Sequence, residues 1–153
     1  MNKEINPIPQ GYHAVTPYII VDDPKRAIEF YEKALGAQTV YTVELEPDQI
    51  VHAEIKVGDS IIMLSGNSPD MHLQPQTGFY RPVSFMVYVP DVDASADKAL
   101  AAGMKMIQEV RDHFYGDRTG TFEDPFGHVW TLATHVEDVS PEEIKKRAAK
   151  IYN

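Results

Sequence analysis

The stretch VTPYIIVDDPKRAIEFYEKALG, Val15 to Gly36, reads as a strand that runs into a helix. Its apolar run stops at Asp23-Pro24, an acceptor suited to capping a helix and a ring suited to the first helical position. Ala27, Ile28, Tyr31, Ala34 and Leu35 then fall on one stripe at helical spacing. Gly36 fits the left-handed residue just past a helix end. The same grammar returns in VSFMVYVPDVDASADKALAAG, Val83 to Gly103, with Asp91 as cap, Val92, Ala96, Ala99 and Leu100 as stripe, and Gly103 as stop. Val15 to Val83 and Asp23 to Asp91 are both 68 residues, and the same step carries IIML at Ile61 onto VWTL at Val129.

Each half therefore reads strand, helix, then three strands. The predicted fold class is α+β, built from two β-α-β-β-β modules that form a curved mixed sheet around a cleft, followed by a C-terminal helix. The modules run over about 13–66 and 83–135, within one domain of 1–153. The segment 67–82 between them, NSPDMHLQPQTGFYRP, has the Gly, Pro, Asn and Ser content of a linker. Ser140-Pro141-Glu142-Glu143 is a capping box that opens a tail helix over about 141–151, with Ile144, Ala148 and Ile151 as its apolar stripe.

Composition narrows the function. With 153 residues the chain is long enough for one sizeable core. Cysteine is absent, which removes disulfides, thiolate metal sites and thiol nucleophiles. The net charge of −9 leaves KKRAAK near the C-terminus as the one basic cluster, so nucleic acid is not an expected partner. No apolar run approaches the roughly 18 residues of a membrane span, and MNKEINPIPQGYH has no apolar secretory centre, so no membrane partner is expected and a cytoplasmic location is.

The doubled module resembles the vicinal oxygen chelate superfamily, which holds glyoxalase I, bleomycin-resistance proteins and extradiol dioxygenases. VDDPKRAIEFYEKALG, PDVDASADKALAAG and DPFGHVWTLATH carry the resemblance, which spans about His13 to His135. It implies a sheet curved around a ligand cleft with helices on the outer face, and two chains paired as a homodimer. The family's metal-ligand positions fall on Thr16, Met63, Ser84 and Thr131. None is a histidine or carboxylate, so no cofactor is expected at those positions. A divalent metal elsewhere, on His52 and Glu54 with a third ligand such as His13, stays open.

Strand alternation sorts the remaining residues. Val15, Pro17, Ile19 and Val21 read as core, with Thr16, Tyr18 and Ile20 facing the cleft. Val83, Phe85, Val87 and Val89 read as core, with Ser84, Met86 and Tyr88 facing the cleft. Trp130 and Leu132 read as core, with Val129, Thr131 and Ala133 opposite. Gly58-Asp59 fits a two-residue hairpin turn that sets Glu54 opposite Met63, which sends His52 and Glu54 to the cleft. Their chemistry suits a general base and its orienter, or a partly solvated surface pair. A four-residue loop in TFEDPFGHVW sets Glu123 opposite His128 and turns Arg118 and Phe122 to the cleft. Arg118 then anchors an anionic ligand group or pairs internally with Asp117 or Glu54. His128 reads as turn structure.

Two functions follow. One is a protein that binds a small organic molecule in a cleft lined by Tyr18, Met63, Met86, Tyr88 and Phe122, as in the sequestration of an antibiotic or metabolite. The other is an enzyme, of lyase, isomerase or dioxygenase type, with His52 or Glu54 as base.

Overall fold

The computed structural model describes residues 5–67, 74–75, 77–78 and 81–152. The chain divides into two compact units, Met1–Thr77 and Gly78–Asn153, with the boundary inside the expected linker. Most of that linker lies outside the described residues.

The first unit runs β1 (Tyr18–Ile20), α1 (Pro24–Leu35), β2 (Gln38–Glu44), β3 (Ile50–Val57) and β4 (Ser60–Ser65). The second runs β5 (Phe85–Tyr88), α2 (Val92–Ala102), β6 (Lys105–Asp112), β7 (Asp117–Glu123) and β8 (Val129–His135), then α3 (Pro141–Tyr152). Each holds a four-stranded sheet, in the order β1-β4-β3-β2 and β5-β8-β7-β6. The first and last strands of each module pair parallel and the others antiparallel. This is the predicted mixed α+β architecture, repeated.

The helix signals act as read. Asp23 accepts from the Arg26 N–H and Asp91 from the Ala94 N–H, both at 3.1 Å. Gly36 and Gly103 close the two helices in the left-handed region. α1 buries Ala27, Ile28, Tyr31 and Ala34 beside the buried strand residues Ile19, Ala53, Ile55 and Leu64. Each fully buried large apolar side chain contributes about 1.5–3 kcal/mol. α2 buries Val92, Ala96 and Ala99, while Leu100 of the expected stripe stays exposed. α3 begins as read, with Ser140 Oγ accepting from the Glu143 N–H at 3.2 Å. Its anchor is charged: Arg147 donates to the Phe114 carbonyl and to Glu137. Ile144 and Ala148 are half-buried and Ile151 is exposed, so the apolar stripe docks only in part.

Two expectations about the first strands need correction. The first strands start later than read: Val15 is 84% exposed and Val83 63%, so neither is core. Thr16 and Ser84 accordingly precede β1 and β5 rather than lie within them. Ile20 pairs with Ser65 and so shares the face of Tyr18, as expected, and it is buried there.

The largest correction is in the last hairpin. The Asp124 N–H donates to the His128 carbonyl at 2.9 Å, which leaves Pro125–Gly127 as a three-residue turn with Gly127 at φ 85. Glu123 therefore pairs with Val129, one residue away from the expected His128. A shift of one residue turns every side chain of β7 to the other face. Phe122 goes into the core, fully buried and paired with Trp130. Arg118 leaves the cleft side for the helix side, where it meets Asp93 of α2 at 2.8 Å and Asp112 at 3.1 Å. Gly120 pairs with Leu132, not Thr131, and a Cβ there would lie 2.8 Å from Val110 Cγ2.

Candidate functional site

The β3–β4 hairpin folds as its turn chemistry dictates. Gly58 sits at φ 59, and Glu54 pairs with Met63. Tyr18 also pairs with Met63, across the parallel β1–β4 ladder. Tyr41 pairs with Glu54 and Val43 with His52, from β2. Directly paired residues share a face, so Tyr18, Met63, Glu54, His52 and Tyr41 all stand on the face away from α1.

On that face the polar groups form one chain. The Tyr18 hydroxyl lies 3.1 Å from His52 Nδ1. His52 Nε2 lies 3.1 Å from Glu54 Oε1. The Tyr12 hydroxyl donates to Glu54 Oε2. A carboxylate only accepts, so the His52 N–H belongs on Nε2, and Nδ1 then receives the Tyr18 proton. Glu54 is 6% exposed and bonded on both oxygens. Its bond raises the Tyr12 phenol above the ordinary range, with burial and the Glu54 charge adding to the effect. The rings of Tyr18 and Tyr41 lie 5.7 and 6.4 Å from that of His52, centre to centre.

The second unit holds a comparable cluster. Asp117, 5% exposed, accepts from the Tyr88 hydroxyl at 2.7 Å and from His135 Nδ1 at 2.8 Å. His135 Nε2 reaches Asp138 at 2.7 Å. Burial opposes charge on Asp117, but the bonds from His135 and Tyr88 outweigh it and hold the carboxyl below its ordinary range. The bonds to Asp117 and Asp138 raise the His135 imidazole. Asp117 likewise raises the Tyr88 phenol. Beside them His113 stacks on Tyr115 at 5.1 Å and bonds Thr119 at 2.9 Å.

The candidates from sequence thus separate. Tyr18, His52, Glu54 and Met63 come together in the first unit. Met86, Tyr88 and Thr131 share the face of the second sheet away from α2, with the Thr131 hydroxyl 3.1 Å from that of Thr121. Thr16 bonds the His13 carbonyl and lines a shallow hollow with His13, Ser60 and Ile61. Ser84 is exposed, and Arg118 is elsewhere. Sequence reasoning missed Tyr12, which no periodicity marks, and the pairing of Asp117 with His135. The correct β7–β8 register sets those two directly opposite each other. At the turn itself, Asp124 Oδ1 accepts from the N–H groups of His128 and Phe126, and Asp124 Oδ2 from the Trp130 indole.

The model of the glyoxalase/bleomycin resistance protein/dioxygenase superfamily matches residues 11–132. The chain belongs to that superfamily. An uncharacterized protein of Mycobacterium tuberculosis strain H37Rv is 35% identical over 136 residues, covering 86% of this chain and 80% of its own. A counterpart in Mycobacterium bovis is also 35% identical, over 86% of this chain and 90% of its own. Among solved structures, TioX of a Micromonospora species superposes with TM-score 0.62 at 22% identity, over 84% of this chain and all of that one. The fosfomycin resistance protein FosX of Listeria monocytogenes gives TM-score 0.60 at 18% identity, over 86% and 97%. These structures share the fold.

The superfamily includes metal-dependent members: a FosX variant was solved with Mn(II) and 1S,2S-dihydroxypropylphosphonic acid. The positions onto which the resemblance carries the family's metal ligands, Thr16, Met63, Ser84 and Thr131, offer three neutral hydroxyls and a thioether. Hard divalent metals favour carboxylate and imidazole ligands, so this donor set does not fit one. Among the described residues no group of three or more His, Asp or Glu is placed to hold a metal ion. No helix among them is long and apolar enough to cross a membrane.

Proposed function

We propose that this protein binds a small organic molecule against the face of the first sheet that carries Tyr18, Tyr41, His52, Glu54 and Met63, and that it holds the molecule without transforming it. The observation behind this reading is the Tyr12–Glu54–His52–Tyr18 chain. Both His52 nitrogens and both Glu54 oxygens are engaged within it. Such a chain fixes orientation and polarity, and the rings and thioether beside it supply apolar contact. Sequestration of an antibiotic or metabolite is the biological form of this activity, in keeping with the superfamily's bleomycin resistance members.

One observation favours an enzyme as second reading. A histidine oriented by a buried carboxylate is the arrangement of a general base, and Tyr18 is placed to pass it a proton. Hydrogen bonds of this kind rearrange when a substrate arrives. A ligand panel separates the two readings: calorimetry should show saturable binding, and mass spectrometry should recover the ligand unchanged. Recovery of a product that His52→Ala no longer makes would replace the first reading by the second. The reading also includes a homodimer, supported by apolar side chains exposed on the edge strands, Val40, Tyr41, Met106 and Ile107. Light scattering measures it directly.

A further inference from the structure

We infer that the ligand of this face is a planar organic cation bearing N–H donors. The inference rests on the binding reading above and adds the class of molecule to it. Three features of the site point the same way.

The first is hydrogen-bond direction. Glu54 draws the Tyr12 proton inward, and through His52 it draws the Tyr18 proton inward as well. A phenol whose O–H is already donated to a neighbour keeps only lone pairs for a ligand. The two phenol oxygens therefore accept from the ligand and have nothing to donate. An anionic group such as a carboxylate or phosphonate finds no hydrogen on those two oxygens.

The second is charge. Glu54 lies almost wholly out of water, so its field on this face is weakly screened. Lys56 shares the face, two residues further along β3, and is exposed. Water screens an exposed ammonium far more than a buried carboxylate. The net charge of −9 adds to the same preference.

The third is the aromatic corner. The rings of Tyr18 and Tyr41 lie 5.7 and 6.4 Å from that of His52, centre to centre. Ring faces attract cations, and a planar cation stacks on them.

Three probes of nearly equal shape decide the matter: benzamidine as cation, benzamide as neutral amide and benzoate as anion. Each is titrated into the full chain while the His52 ring signals are followed by NMR. Benzamidine should bind about tenfold tighter than either of the others, as a desolvated cation–π and hydrogen-bonded contact allows. Glu54→Gln should erase that preference. Tyr18→Phe, which keeps the carboxylate and the ring, should weaken benzamidine alone. Lys56→Gln should leave the order of affinities unchanged.

Benzoate binding as tightly as benzamidine overturns the cation inference and leaves the binding reading standing. A preference that survives Glu54→Gln overturns it too. If none of the three probes moves the His52 signals, both the inference and the assignment of this face fall together.

Discussion

Each unit ties a buried carboxylate to a histidine and a tyrosine, Glu54 in the first and Asp117 in the second, but the repeat does not relate the two clusters. The residue 68 positions after Glu54 is Phe122, and the residue 68 before Asp117 is Gln49. The difference lies in the histidine's second partner. His52 turns its other nitrogen to a phenol, so its cluster ends in lone pairs on a sheet face. His135 turns its other nitrogen to a second carboxylate, so both nitrogens donate and the ring carries a charge. Asp138 belongs to the segment that leads into α3. The backbone N–H groups of Val136 and Glu137 in that segment both donate to the Gly116 carbonyl. The first cluster therefore leaves lone pairs on a sheet face, and the second fastens the segment before α3 to β7 and β8. The duplicated backbone supplied two scaffolds, and the side chains set upon them diverged.

Five substitutions probe this contrast. The largest effect belongs to Gly116→Ala. Gly116 sits at φ 102, and an added Cβ would lie 2.1 Å from the Glu137 carbonyl oxygen. The left-handed backbone and the clash together should cost on the order of 2–3 kcal/mol. Trp130, the one tryptophan of the chain, lies in the second unit and reports its unfolding by fluorescence. Probe binding to the first unit should survive.

Next come the carboxylates, changed one at a time. Asp117→Asn should lower the stability of the second unit by about 1–3 kcal/mol, as a buried group loses part of its bonding. It should leave benzamidine binding in place. Glu54→Gln should do the reverse, with affinity falling about tenfold and the Trp130 transition little changed. If both substitutions act on stability alone, the contrast between the clusters fails.

The pH dependence should follow His135 and Asp117. The folded imidazole is raised above the ordinary histidine value of about 6.5. Its contribution is therefore complete below that value and is lost as pH rises through the folded value. The Asp117 carboxyl is lowered, so its contribution is complete above the ordinary aspartate range and is lost as pH falls through the folded value. Denaturation of the second unit should be hardest between these limits, and His135→Gln should flatten the alkaline side. An unchanged alkaline side in that variant would remove His135 from the account.

Arg118→Ala should have the smallest effect. Its pairs with Asp93 and Asp112 are solvent-facing, and such pairs contribute little and fade with salt. Probe binding should not change. A loss of affinity would return Arg118 to the ligand site and undo the corrected register.

The sequence made the repeat, the caps and the first hairpin legible, because each rests on local rules. Asp23 and Asp91 cap by reaching three residues ahead, and Gly58 turns the chain within two residues. The face of His52 and Glu54 followed from that turn by counting, since side-chain alternation in a strand is strict. The second hairpin broke the same count. Its loop is set by Asp124, whose carboxylate gathers the N–H groups of Phe126 and His128 and the Trp130 indole, 2.8–2.9 Å away. Nothing in DPFG alone distinguishes a three-residue turn from a four-residue one. The one-residue error sent Arg118 and Phe122 to the wrong face and hid the pairing of Asp117 with His135.

By itself, then, the sequence determined the two modules, their caps and the face on which His52 stands, because backbone rules act over a few residues. The tertiary structure decided the rest: where Tyr12 comes to lie against Glu54, 42 positions along the chain, and which carboxylate each histidine meets. Those choices depend on strand register and on side chains that meet only after the sheets have formed, and a buried carboxylate collects whatever donors that packing brings within reach.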